Sequence, residues 1–367
     1  MPSDEQRGAA ERRSNRSALY AMAACMAAGA FASFARMPVP WLLGPLLAMA
    51  VLGGLGAELD GPPGGRQAGQ IVIGLAIGLY FAPPVVERIA TYLPLMVAAG
   101  AGSILLGILV GPVFAWLADV DRTTAFFCTI PGGLAEMSNM AERHRADVLP
   151  VLLAQSIRVA VVVVLVPVGM TLWGASGVDP YVPPVVGVNV PGLVAMLAMA
   201  TGAALAASRL NVTNPWLLGP MIVGIAFAVT ESIPSGIPRP VSNAAQLLMG
   251  CALGARFRRD FLSRAHRVAL AALASSLAIL AASAGLGGLV AAATELRLPT
   301  ALLATAPGGL PEISITAKVL QLGVPIVAAF HVVRILMILL LSGHVFRVAR
   351  YLGRALRPSE AQEAGDD

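Results

Sequence analysis

Six stretches of this chain, 17–35, 37–57, 89–118, 181–208, 210–230 and 268–294, run for 19 or more residues without a charged side chain. A helix needs about 20 predominantly apolar residues to cross a bilayer. Hydrophobic residues make up 57% of the chain and charged residues 12%, against roughly 45–50% and about 25% in soluble domains. The sequence therefore predicts an all-α polytopic membrane protein whose first partner is the lipid bilayer. Basic charge is almost wholly arginine, with Lys318 the only lysine. The arginines cluster between apolar spans, which points to membrane orientation and not to nucleic-acid binding. Cys25, Cys128 and Cys251 lie inside apolar segments at unrelated spacings, so free, buried thiols are expected. The four histidines are scattered, and neither a metal nor another cofactor is implied.

Shifted by 175 or 176 residues, the chain superposes on itself in three blocks. Pro-Trp-Leu-Leu-Gly-Pro at 40–45 recurs unchanged at 215–220. Gln70, Gly74, Gly78 and Phe81 recur as Gln246, Gly250, Gly254 and Phe257. TIPGGLAEMS at 129–138 recurs as TAPGGLPEIS at 305–314, and Arg158 recurs as Arg334. One unit has been duplicated. The expected organisation is a basic cytoplasmic tail at 1–16, membrane repeats at 17–175 and 185–350, and a polar cytoplasmic tail at 351–367. The first apolar run resembles a secretory signal, but its counterpart near 190–207 assigns it to the repeat.

Each unit contains six apolar segments, and the fifth is too short to span. Its uncharged arm is 13 residues in the first unit (123–135) and 14 in the second (298–311), each containing a Pro-Gly-Gly break and ending at a glutamate. Such a segment reads as a re-entrant or broken helix. If all twelve segments crossed, loop and tail Arg and Lys would divide 12 inside to 11 outside; with the fifth segments re-entrant, they divide 18 to 5. The second count follows the positive-inside rule and places both termini in the cytoplasm. Five crossings per unit is odd, so the repeats are expected to be inverted, with about ten transmembrane helices in all. Carriers of that design bind substrate near the midplane, where the repeats meet.

The residues expected to line such a site follow from this scheme. In Pro131-Gly132-Gly133 and Pro307-Gly308-Gly309, proline stops a helix, while glycine permits positive φ and close approach of a ligand. The half-helix that follows begins with unpaired N–H groups and a positive dipole end, suited to an anion. Glu136 and Glu312 come three residues later. Arg158 and Arg334 lie in the next span, where a charge costs roughly 2.5–3.5 kcal/mol at the bilayer centre and normally faces a cavity or partner. These charges read either as structural ion pairs or helix caps, or as a site where arginine holds an anion and glutamate exchanges a proton or coordinates a cation. Thr129, Ser138, Thr305 and Ser314 are polar neighbours expected to line the same cavity. Trp41 and Trp216 read as interface tryptophans, and the two Gly-x-x-x-Gly pairs as packing faces.

The duplicated unit, with Pro-Trp-Leu-Leu-Gly-Pro near its start and Thr-x-Pro-Gly-Gly-Leu-x-Glu-x-Ser near its end, resembles the bacterial membrane AbrB family over about 18–350. This family is distinct from the small soluble DNA-binding proteins of the same name. The resemblance implies a fold related to cation:proton antiporters and anion transporters, hence an inverted-repeat carrier and not an enzyme. Family members are labelled as regulators of gene expression or as ammonia monooxygenases. Oxygenation needs clustered metal ligands, which this sequence lacks. The leading expectation is an inner-membrane secondary transporter for a small organic anion, coupled to protons or sodium. A membrane-embedded regulator or sensor stands second and a monooxygenase third; a homodimer is left open.

Overall fold

A computed structural model of the chain describes residues 4–177, 186–259 and 265–355. The start of the second repeat at 185 and the end of the C-terminal tail, from 356, lie outside the described residues.

Among the described residues there are fourteen α-helices and no strand. The first half comprises α1 (Asp4–Phe34), α2 (Pro40–Gly54), α3 (Gly65–Gly78), α4 (Pro83–Ala118), α5 (Arg122–Thr129), α6 (Leu134–Arg143) and α7 (Val148–Leu172). The second half repeats that order as α8 (Val190–Arg209), α9 (Pro215–Val229), α10 (Arg239–Gly254), α11 (His266–Ala292), α12 (Leu298–Thr305), α13 (Leu310–Leu320) and α14 (Val324–Ala355). Helix α1 runs unbroken from Asp4 through a stretch of Glu, Gln, Arg and Ala that favours helix, so the basic segment before residue 17 is continuous with the apolar run. Likewise, α14 continues past 351 to Ala355.

Five of these helices are long and apolar enough to cross a membrane: Ser17–Phe34 of α1, α4, α7, α8 and α11. Pro40–Gly54, Pro215–Val229 and Val324–Ile338 are shorter apolar helices. The outer face of α4 carries exposed Leu105, Leu109, Val113 and Trp116 at helical spacing. Such a stripe is a liability in water and a natural face toward lipid tails.

The repeated motifs explain how the helices pair. Helix α3 packs on α9, and α10 packs on α2, so each half supplies the partner for the other. A side chain at Gly250 would run into the Leu42 carbonyl of α2, and one at Gly74 into the Leu217 carbonyl of α9. The Gly-x-x-x-Gly pairs are thus the surfaces onto which the two Pro-Trp-Leu-Leu-Gly-Pro helices settle, backbone to backbone. Trp41 lies against Gly29 of α1, while Trp216 lines an internal cavity.

Two helix bundles result. One contains α1–α3 with α8–α10; the other contains α4–α7 with α11–α14. They meet mainly where α3 touches α13 and α14 and where α10 touches α7. The cavity lies along this junction.

Candidate functional site

In each half the short fifth segment is a helical hairpin. Asp121 caps α5, accepting from the N–H groups of Thr123 and Thr124 at 2.8 and 3.0 Å. The Thr124 hydroxyl accepts from the Asp147 N–H, 3.0 Å away, at the start of α7. At the far end of α6, the His144 ring lies 5.6 Å from that of Phe127 on α5. Helices α5 and α6 therefore begin and end beside the same end of α7, with the Pro-Gly-Gly tip pointing along it. The second hairpin copies this arrangement, with Thr300 of α12 against Gly323 at the start of α14.

Each tip is held by the arginine eleven positions into the following helix, about 16 Å along its axis. That is about half the 30 Å hydrocarbon core. Arg158 donates from Nη1 to the Ile130 carbonyl at 2.9 Å and from Nη2 to the Gly132 carbonyl at 3.0 Å. Arg334 does the same for the Ala306 and Gly308 carbonyls, both at 2.6 Å. Gln155 supports the first tip, donating to Phe127 and Ile130 carbonyls at 2.8 and 3.1 Å and accepting from Arg158. The repeat places His331 at the position of Gln155, and it is fully buried.

The two tips face one cavity of about 260 Å³. Pro131, Gly132, Gly133, Gly308, Gly309, Glu136, Glu312, Arg158 and Arg334 line it, so nine of the residues singled out in the sequence come together. Thr129, Ser138 and Thr305 do not reach it, because their hydroxyls donate to backbone carbonyls of Ala125, Leu134 and Ser283 at 3.1, 2.8 and 3.0 Å. Ser314 is buried on α13 and Pro307 sits within its tip, both outside the lining.

Two features of the site concern these charges and the glycines beside them. Arginine and glutamate do not pair: among the described residues, no ion pair joins Arg158 or Arg334 to Glu136 or Glu312. The arginines are satisfied by tip carbonyls instead. Each glutamate folds back over the glycine that starts its own half-helix, so that a Cβ at Gly133 would fall on Glu136 Oε2 and one at Gly309 on Glu312 Oε2. Nor do those glycines use left-handed backbone. Their φ values are −71° and −74°, so space, and not positive φ, is what glycine provides there.

Sequence reasoning also missed the wall opposite the tips, formed by Arg66 and Gln70 of α3, Asn214 and Trp216 at the start of α9, and Arg256 just beyond α10. Gln70 Nε2 donates to Asn214 Oδ1 at 3.0 Å. The recurrences of Gln70 and of Trp216 were the signals available; Asn214, by contrast, stands where the first half has Val39. In total, four arginines and two glutamates line the cavity.

An all-α polytopic membrane protein with two like halves, whose broken segments meet at a cationic cavity, is the class that fold and site define. The chain belongs to the AbrB family, since the family model described as transition state regulatory protein AbrB matches residues 41–350. Two curated relatives span nearly its whole length. The "Uncharacterized protein YhjN" of Bacillus subtilis (strain 168) is 25% identical over 363 residues, covering 91% of this chain and 93% of that protein. The "Putative regulator AbrB" of Escherichia coli (strain K12) is 27% identical over 316 residues, covering 85% and 90%. No solved structure matches the chain.

Proposed function

We propose that this chain is a secondary carrier of a small organic anion in the bacterial inner membrane, with both termini cytoplasmic and the two halves inverted. The convergence of both hairpin tips and four arginines on one cavity carries this reading. Half-helix N-termini and buried guanidinium groups favour negative charge, and discontinuous segments meeting at mid-depth are the usual setting of a carrier site. The exchange of partners between halves, α3 with α9 and α10 with α2, supports a two-fold relation. An odd number of crossings per half makes that relation an inversion. Movement of one bundle against the other at their narrow junction would expose the cavity to each side in turn. Protons fit the coupling role better than sodium, because the tip carbonyls that would ligate a cation already accept from Arg158 and Arg334.

The test is uptake of labelled organic anions into proteoliposomes under an imposed proton or sodium gradient. Uptake that follows the gradient is expected; no anion entering under either gradient rejects the carrier. The name of the Escherichia coli relative favours a second reading, a membrane regulator. A regulator would bind its ligand and alter expression with no net flux.

A further inference from the structure

Resting on the carrier reading, we propose that the substrate is a short dicarboxylate whose two carboxylates take the places now held by the side chains of Glu136 and Glu312. Four observations lead there. First, α6 and α13 present two equivalent N-termini to a single cavity, each preceded by paired glycines. Second, a carboxylate tethered by the chain itself already lies over each N-terminus, with Oε2 where a glycine Cβ would be and no side-chain cap bond at that glycine. An arrangement that accepts one carboxylate per half-helix accepts the two ends of a linear dianion equally well. Third, the pocket retains unmet polar capacity. Glu312 is 4% exposed with Oε2 unpartnered, and Arg158 and Arg334, 3% and 5% exposed, each have a buried Nε without a partner. Native interiors rarely leave such groups unsatisfied. Fourth, four guanidinium groups against two carboxylates leave an excess of two positive charges, which a dianion neutralises and a monoanion does not.

Size narrows the class further. A cavity of about 260 Å³ falls below the roughly 300–1,000 Å³ of pockets that take drug-sized ligands. A chain of four or five carbons fits it. On entry the substrate displaces both glutamate side chains, so the glutamates act as built-in competitors.

The experiment is calorimetric titration of the purified full-length protein with succinate, glutarate, butyrate, acetate and sulfate. Succinate or glutarate should bind at least about tenfold more tightly than butyrate. Glu136→Gln and Glu312→Gln should each tighten succinate about tenfold, because each removes one charged competitor. Butyrate or sulfate binding as tightly as succinate overturns the proposal, whatever the variants do. Folded Gln variants that bind succinate unchanged or more weakly overturn it as well. The carrier reading is decided separately in proteoliposomes. Succinate binding without gradient-driven uptake rejects the carrier and keeps the ligand, whereas uptake confined to monocarboxylates keeps the carrier and rejects the dicarboxylate.

Discussion

Gln70 and Asn214 belong to opposite halves of the chain, and their side chains meet on the cavity wall, Nε2 donating to Oδ1 at 3.0 Å. The equivalent pair one repeat away is Gln246 and Val39, and valine has no amide to offer. The like halves therefore give the cavity one polar wall. Replacing Gln70 with leucine removes the donor and leaves a half-buried amide oxygen without its partner. The expected loss is about 1–3 kcal/mol, read as a lower melting temperature in detergent. Gln246→Leu should shift it less.

Arg334→Lys separates charge from geometry. Lysine keeps the positive charge but lacks the planar fork that spans the Ala306 and Gly308 carbonyls. Anion uptake should fall at least about tenfold while membrane yield stays near that of the parent protein. Arg334→Gln should reduce both, since it strands two buried carbonyls at an expected loss of about 2–4 kcal/mol. Uptake per folded molecule and yield in membranes check the pair. Full uptake by the lysine variant would show that charge alone suffices.

Gly309 has backbone angles that any residue adopts, so Gly309→Ala should insert and fold. The new Cβ would occupy the place of Glu312 Oε2 and push that carboxylate off the start of α13. Anion binding should weaken, and Gly309→Val should abolish it. Gly202→Ala is the control. Its surroundings on α8 are open, and its stability should change by less than about 1 kcal/mol. Normal binding by both Gly309 variants would reduce the tip to a simple turn.

Asp121 anchors the first hairpin outside its apolar body. Partial burial works against its charge, but hydrogen bonds from the Thr124 hydroxyl and from the backbone of Thr124 and Thr123 outweigh this and hold its carboxyl below the usual carboxylate range. Its folded pKa thus lies beneath the unfolded one, about 3.9. The stabilisation is fully present above that pH and is lost as pH falls through the folded value. Asp121→Ala should lower stability by about 1 kcal/mol at pH 7. The gap from the parent should narrow in thermal melts as the pH is taken below the unfolded value of about 3.9.

Orientation is tested at Arg258, which is exposed beyond the end of α10. A cysteine placed there should react with an impermeant maleimide only when the cytoplasmic face is open. Labelling from the periplasm would overturn the inverted arrangement.

The repeat made much of this molecule readable in advance. Pro131, Glu136 and Arg158 stood out because they recur as Pro307, Glu312 and Arg334, and a charge in an apolar span needs a reason. The wall opposite was hidden, because Arg66, Asn214 and Arg256 come from the ends of three helices that only cross-half packing brings together. Side-chain direction was hidden too. Thr129 and Ser138 sit in the right segments, but a helical hydroxyl bonds readily to the carbonyl one turn back, and both do. An arginine–glutamate pair was one of the arrangements open in the sequence; instead the guanidinium donates its hydrogen bonds to the tip carbonyls.

The way each hairpin is fastened decides what can move. The first is tied to α7 at its base, where Asp147 meets Thr124, and again at its tip, where Arg158 grips two carbonyls. A loop pinned at both ends has no free hinge, so neither tip can swing as a lid over a bound molecule. In the carrier reading, access to the cavity would change sides through displacement of α7 and α14 with their hairpins aboard, a lever several helices wide. Its speed would be governed by how lipid and the facing bundle yield, and by little that happens within the tips themselves.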